Sequence, residues 1–94
     1  MTKNANSQPK ESDTKAITDT ERILATIWSE VLECDNISSL DDFLVLGGDS
    51  VDATHISWRI VQSFRVEVPM AACFEHPTIR ELAGYIDKMR EATT

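Results

Sequence analysis

The chain has little cysteine, no long apolar run and no surplus of basic charge. Cys34 and Cys73 are its only cysteines. Without a Cys-x-x-Cys pair or ligand spacing they exclude a disulfide framework and a zinc-finger-type site. In a cytoplasmic chain they stay reduced, and Cys73, within an apolar run, reads as a small core residue. No apolar stretch approaches the roughly 18 residues of a membrane span. Residues 1–16 lack the apolar segment of a secretory leader, so the expected compartment is the cytoplasm. No strand-like alternation and no internal repeat is present, which leaves helices as the building material.

The charge excludes a further class. Nine Lys and Arg stand against sixteen Asp and Glu, a net of −7. The imbalance is uneven: residues 1–17 carry +1 and residues 18–94 carry −8. Nucleic-acid binding wants a basic face and is not expected. A partner with a basic face would be steered toward this chain. Ninety-four residues make one small domain that buries only about 60–65% of its unfolded surface, too little for a deep enzyme cleft.

Residues 1–17 are polar and aperiodic and are expected to be a flexible tail; residues 18–92 form the domain. Thr18-Asp19-Thr20-Glu21 is a capping box with Thr18 as N-cap. Ile23, Leu24, Ile27, Trp28, Val31 and Leu32 then form an apolar stripe through about Glu33. Residues 34–49 lack periodicity and are expected to lie as an ordered loop over the bundle. Ile37, Leu40, Leu46 and above all Phe43 anchor it, and Asp41-Asp42 start a short turn.

A second helix is predicted from Ser50 to about Ser63. At 100° per residue, Ala53, Ile56, Ile60 and Phe64 share one stripe, while Val51, His55, Trp58 and Gln62 point the other way. Val51 and Trp58 are therefore exposed apolar residues beside Ser50, a docking strip. Arg65 to Pro69 is extended, and Pro69 opens a short helix at its first position. His76-Pro77 ends that segment. Thr78-Ile79-Arg80-Glu81 is a second capping box, and Ile79, Leu82, Ala83, Ile86 and Met89 bury the last helix, which ends near Arg90. The expected fold is all-α: a small four-helix bundle with three longer helices, a short third one and a long ordered loop between the first two.

Leu46-Gly47-Gly48-Asp49-Ser50 leads into the second helix and presents Ser50 at its mouth. A serine nucleophile needs a base within hydrogen-bond reach. His55 lies about 140° round the helix from Ser50, and His76 sits in a distant turn. Asp52 occupies the second place after the serine, where a nucleophile elbow has glycine. Gly47-Gly48 lacks the Lys-Ser/Thr pair of a phosphate-binding loop. Asp41, Asp42, Asp49 and Asp52 do not match a calcium loop, so no metal site is expected. Residues 33–52 hold six acids and no Lys or Arg. What remains is a serine modified by another protein, at a helix N-terminus where the amides and dipole favour an anion.

Asp42-Phe43-Leu44-Val45-Leu46-Gly47-Gly48-Asp49-Ser50 resembles the 4′-phosphopantetheine attachment motif of carrier proteins. The double glycine is similar to that of peptidyl carrier, or thiolation, domains of nonribosomal peptide synthetases. Glu21 to Trp28, Val66-Glu67-Val68-Pro69, Phe74 to Ile79 and Leu82-Ala83 extend the resemblance over residues 18–90. It implies a non-catalytic carrier of antibiotic and other secondary-metabolite assembly, with phosphopantetheine held covalently on Ser50 beside Gly48 and Asp49. It implies a phosphopantetheinyl transferase, an adenylation enzyme, and condensation, tailoring or thioesterase partners, docking at Val51, His55, Trp58 and Met70. A monomer with no nucleic-acid or membrane partner is expected. Asp49 stands where many peptidyl carriers have His, and Asp-Ser-Val-Asp also resembles acyl carriers of fatty-acid and polyketide pathways. That role, or an interaction module without cofactor, are the competing expectations.

Overall fold

The computed structural model describes residues 17–92. The tail expected over 1–17 lies, Ile17 apart, outside the described residues. Four helices follow in order: α1 (Asp19–Leu32), α2 (Ser50–Phe64), α3 (Ala72–Glu75) and α4 (Ile79–Ala92). No strand occurs among the described residues; the extended backbone is limited to one isolated bridge, Asp42 to Thr78. The expected all-α bundle with a short third helix is the observed fold.

Local sequence sets the helix ends. Thr18 Oγ1 accepts from the Glu21 amide at 3.1 Å and Glu21 Oε1 accepts from the Thr18 amide at 3.4 Å, a complete capping box. Glu33 closes α1 in the left-handed region, and Arg65 closes α2 likewise. At α4 only half of the predicted box forms: Thr78 Oγ1 accepts from the Glu81 amide at 3.2 Å. α2 runs one residue past the predicted Ser63, and α4 two past Arg90. Pro69 is not the first residue of α3. Its carbonyl instead accepts from the Ala72 amide, starting a tighter turn that leads into the helix at Ala72.

α1 packs on α2 and on α4. Leu24, Ile27, Trp28, Phe43, Ala53, Ile56, Ile60, Ile79, Leu82 and Ile86 form the centre of the core. The predicted core faces of α2 and α4 are buried, apart from half-buried Met89. The α1 stripe is narrower than predicted: Ile23 is 40% exposed, because the core meets α1 along Leu24, Ile27 and Trp28. Leu40 is also a correction. It is 63% exposed and anchors nothing, since it lies at a turn tip where Asp41 closes back on Ser38.

The long loop is held by non-local bonds. The Phe43 amide donates to the Pro77 carbonyl at 2.6 Å, and the Arg80 amide donates to the Ser39 carbonyl at 3.0 Å. Both tie it to the start of α4. Glu21, 8% exposed, adds α1 to the knot: its carboxylate accepts from Ser39 Oγ at 3.4 Å and faces Arg80 Nε at 3.9 Å. Phe43 is the fully buried plug, edge-on to Trp28 at 5.5 Å and to Phe74 at 5.6 Å.

Candidate modification site at the start of α2

The site is built by a turn that begins at Asp42. Its Oδ1 accepts from the amides of Leu44 (2.8 Å) and Val45 (3.3 Å), as a capping side chain does. The turn expected at Asp41-Asp42 therefore forms, led by Asp42. Leu46 donates to the Asp42 carbonyl, Gly47 to that of Leu44 and Gly48 to that of Phe43. Gly47 has φ +93°, a conformation that glycine adopts without steric cost. Gly48 is needed for a different reason. A Cβ there would overlap the ring atoms Cδ1, Cε1 and Cζ of Phe43, well inside van der Waals contact. The plug that closes the core thus runs beneath the backbone that delivers Ser50.

Asp49 is the N-cap of α2. Its Oδ1 accepts from the Asp52 amide at 2.9 Å, and Asp52 Oδ2 accepts from the Asp49 amide at 3.3 Å. This reciprocal box places Ser50 as the first helical residue. Ser50 and Val51 are exposed, and their amides are the first-turn donors that no capping carboxylate takes. The space beyond Gly47 is open: a Cβ placed there would meet nothing within 4 Å. An exposed hydroxyl in the first turn of a helix, beside amides that neither capping carboxylate takes, suits a phosphate ester.

Among the described residues no histidine is bonded to Ser50; His55 lies on the exposed flank of α2, and His76 stacks on Tyr85 of α4 at 4.8 Å. Burial pushes the Cys73 thiol up to about 11, away from nucleophile chemistry. No group of three or more His, Cys, Asp or Glu among the described residues is placed to hold a metal.

The predicted docking residues fall on one side of the molecule. Val51 is 63% and Trp58 64% exposed, with exposed His55 between them. Met70 is half-buried and is joined to the same helix: Thr54 Oγ1 bonds the Ser50 carbonyl at 2.9 Å and lies 3.4 Å from Met70 Sδ. Sequence reasoning missed Leu44 and Val45, 56% and 84% exposed in the turn before Ser50. Their signal was their place between Phe43 and Leu46, in a run too apolar for one anchor to absorb. Phe74 of α3, 37% exposed, lies against the Phe43 ring at 5.6 Å.

Residues 22–86 match the family model described as the phosphopantetheine attachment site. The matching plipastatin synthase polypeptide of Bacillus subtilis (strain 168) is 48% identical over 68 residues, covering 70% of this chain and 2% of the synthase. Tyrocidine synthase 3 of Brevibacillus parabrevis is 38% identical over 65 residues, covering 69% of this chain and 1% of the synthase. The chain thus spans only a small fraction of the curated relatives it matches. Among solved structures, a chain in the complex of the phosphopantetheine transferase Sfp with coenzyme A and a peptidyl carrier protein superposes with TM-score 0.74 at 33% identity. The match covers 78% of this chain and 95% of that one. An active-site mutant peptidyl carrier protein gives TM-score 0.75 at 30% identity, with 86% and 90% covered. The chain belongs to the phosphopantetheine attachment site family, and within it is a peptidyl carrier, or thiolation, domain, of the kind to which 4′-phosphopantetheine is attached.

Proposed function

We propose that Ser50 is the attachment residue, and that residues 18–92 form the carrier unit of a nonribosomal peptide assembly line. The observation that carries this reading is the exposed Ser50 at the first position of α2, delivered by Gly47 and Gly48 over the buried Phe43 ring. A phosphopantetheinyl transferase joins Ser50 Oγ to the phosphorus of coenzyme A's pantetheine phosphate. The serine proton and the adenosine bisphosphate leave. The arm then supplies a thiol on which an adenylation enzyme places an aminoacyl group as a thioester.

The chain's own residues position and do not catalyse. Asp49 and Asp52 fix the helix start. Gly48 and Asp49 border the attached phosphate through their backbone, while Asp49's carboxylate serves the cap. Val51, His55, Trp58 and Met70, with Leu44 and Val45, receive transferase, adenylation, condensation, tailoring or thioesterase partners in turn. The acidic loop steers basic partners toward Ser50. This reading includes a cytoplasmic setting, in which Cys34 and Cys73 stay reduced.

The test offers the phosphopantetheine-bearing protein to an amino-acid-activating adenylation enzyme and, separately, to a malonyl- or acyl-transferring enzyme, each from its gene neighbourhood. Aminoacyl loading is expected. Loading by the acyl route alone would move the chain to polyketide or fatty-acid assembly.

A further inference from the structure

Trp58 stands as a ridge on α2 with a groove on each side. One groove runs toward the end of α1 and includes Glu33, Asp52 and His55, together with Glu30 and Arg59. The other runs toward the segment before α3 and includes Val61, Glu67 and Pro69. One side of the indole therefore carries several carboxylates, and the other carries Glu67 above an apolar floor of Val61, Val68 and Pro69. Between Glu33 and Phe64 the sequence has a single Lys or Arg, Arg59, and its guanidinium is paired with Glu30 across α1 and α2. Phe64, on the buried side of the same helix, already has a cation over its ring: Arg90 lies 5.6 Å from the centroid. Trp58 has no such cation among the described residues.

We infer that this face of α2 takes an arginine-presenting segment of a partner protein, stacked on the Trp58 indole and flanked by Glu33 and Glu67. Three physical reasons favour arginine over other occupants. Indole is the strongest cation–π platform among side chains. A planar guanidinium stacks on it while its edge still bonds a carboxylate, which an ammonium does less well. The surface is anionic on both flanks, so a cationic segment is attracted and an acidic one repelled. Val61 and Pro69 then seat an apolar neighbour of that arginine. This deepens the docking role proposed for Trp58 by naming the partner's chemistry, and it rests on that reading.

The experiment uses the unmodified protein, labelled with ¹⁵N, and three helical peptides of equal length and identical leucine content. They carry arginine, lysine or glutamine at two positions one turn apart. The indole N–H of Trp58 reports binding, and that of fully buried Trp28 serves as the internal reference. The arginine peptide should shift Trp58 and leave Trp28 in place. Lysine should bind a few-fold more weakly and glutamine about tenfold. Glu33→Gln combined with Glu67→Gln should weaken the arginine peptide about three- to tenfold, as should raising the salt past the Debye screening range. Trp58→Ala should abolish the Arg-over-Lys preference, read from the α2 amides. Equal binding of the glutamine peptide would overturn the inference and make the face purely apolar. So would salt-independent binding, or no Trp58 shift with the arginine peptide at millimolar concentration. Because the readout needs no arm, it stands or falls separately from modification of Ser50.

Discussion

The ring of Phe43 lies directly under Gly48, so closely that no side chain fits between them, and the Gly48 amide donates to the Phe43 carbonyl at 2.9 Å. Core closure and presentation of Ser50 are therefore one structural event. Gly48→Ala should force the ring or the loop to move and cost about 1–3 kcal/mol, as overpacking does. It should also slow modification of Ser50. Gly47→Ala meets open space and only the strain of a positive φ, about 1 kcal/mol. Thermal unfolding of the two variants, alone and with Phe43→Leu, checks this. Phe43→Leu should partly relieve Gly48→Ala and leave Gly47→Ala unchanged; additive losses would separate the two residues.

Phe43→Ala should destabilise the domain by about 3–5 kcal/mol, since the ring is fully buried and meets Trp28 and Phe74 edge-on. A urea midpoint shift corresponding to less than about 1 kcal/mol would contradict its role as the loop's plug.

Much of this was legible in the sequence, and the part that was not has a common cause. Capping-box motifs announced α1 and α4 because the motif spans only four residues, although at α4 only the Thr78 half forms. The 100° spacing separated Ile56 and Ile60 from Val51 and Trp58 because a helix is a local object. Phe43 could be picked as the plug because it is the large apolar residue of an aperiodic loop. The reason for Gly48, however, is a ring five positions earlier, and it exists only once the loop is folded. Exposure of Leu40, Leu44 and Val45 depends equally on how that loop is tied. Its ties, Phe43 to Pro77 and Ser39 to Arg80 and Glu21, join segments far apart in the chain. The Asp49–Asp52 box was readable in principle, with aspartate in both places of a motif usually sought as serine or threonine with glutamate.

Asp49 serves α2 as an N-cap, so its replacement should act on the helix first. Asp49→Asn keeps an acceptor for the Asp52 amide and should be nearly neutral. Asp49→Ala should cost about 1 kcal/mol. Equal losses in the two variants, measured by thermal unfolding, would point to the charge and not to the cap.

Cys73 is buried with its thiol pushed up from the ordinary 9.0 to about 11. The neutral thiol is the favoured folded form, so its burial stabilises fully below pH 9.0 and that contribution is lost as pH rises through about 11. At pH 8 alkylation of the native protein should therefore mark Cys34, which is half-buried, and spare Cys73. Peptide mapping after brief iodoacetamide treatment checks the selectivity; equal labelling would show Cys73 to be accessible.

Trp28 is wholly buried and its Nε1–H has no acceptor among the described residues. Trp28→Phe removes that unpaired donor along with some volume. Its cost should stay below about 2 kcal/mol, against about 3–5 kcal/mol for Trp28→Ala. Chemical denaturation of both variants compares them directly.

Ser50 as the attachment residue is decided by the intact mass of the protein after incubation with coenzyme A and a broad-specificity phosphopantetheinyl transferase. A gain of one phosphopantetheine is expected, mapped to the peptide containing Ser50 and absent from Ser50→Ala. No gain, or an undiminished gain in Ser50→Ala, would contradict that assignment.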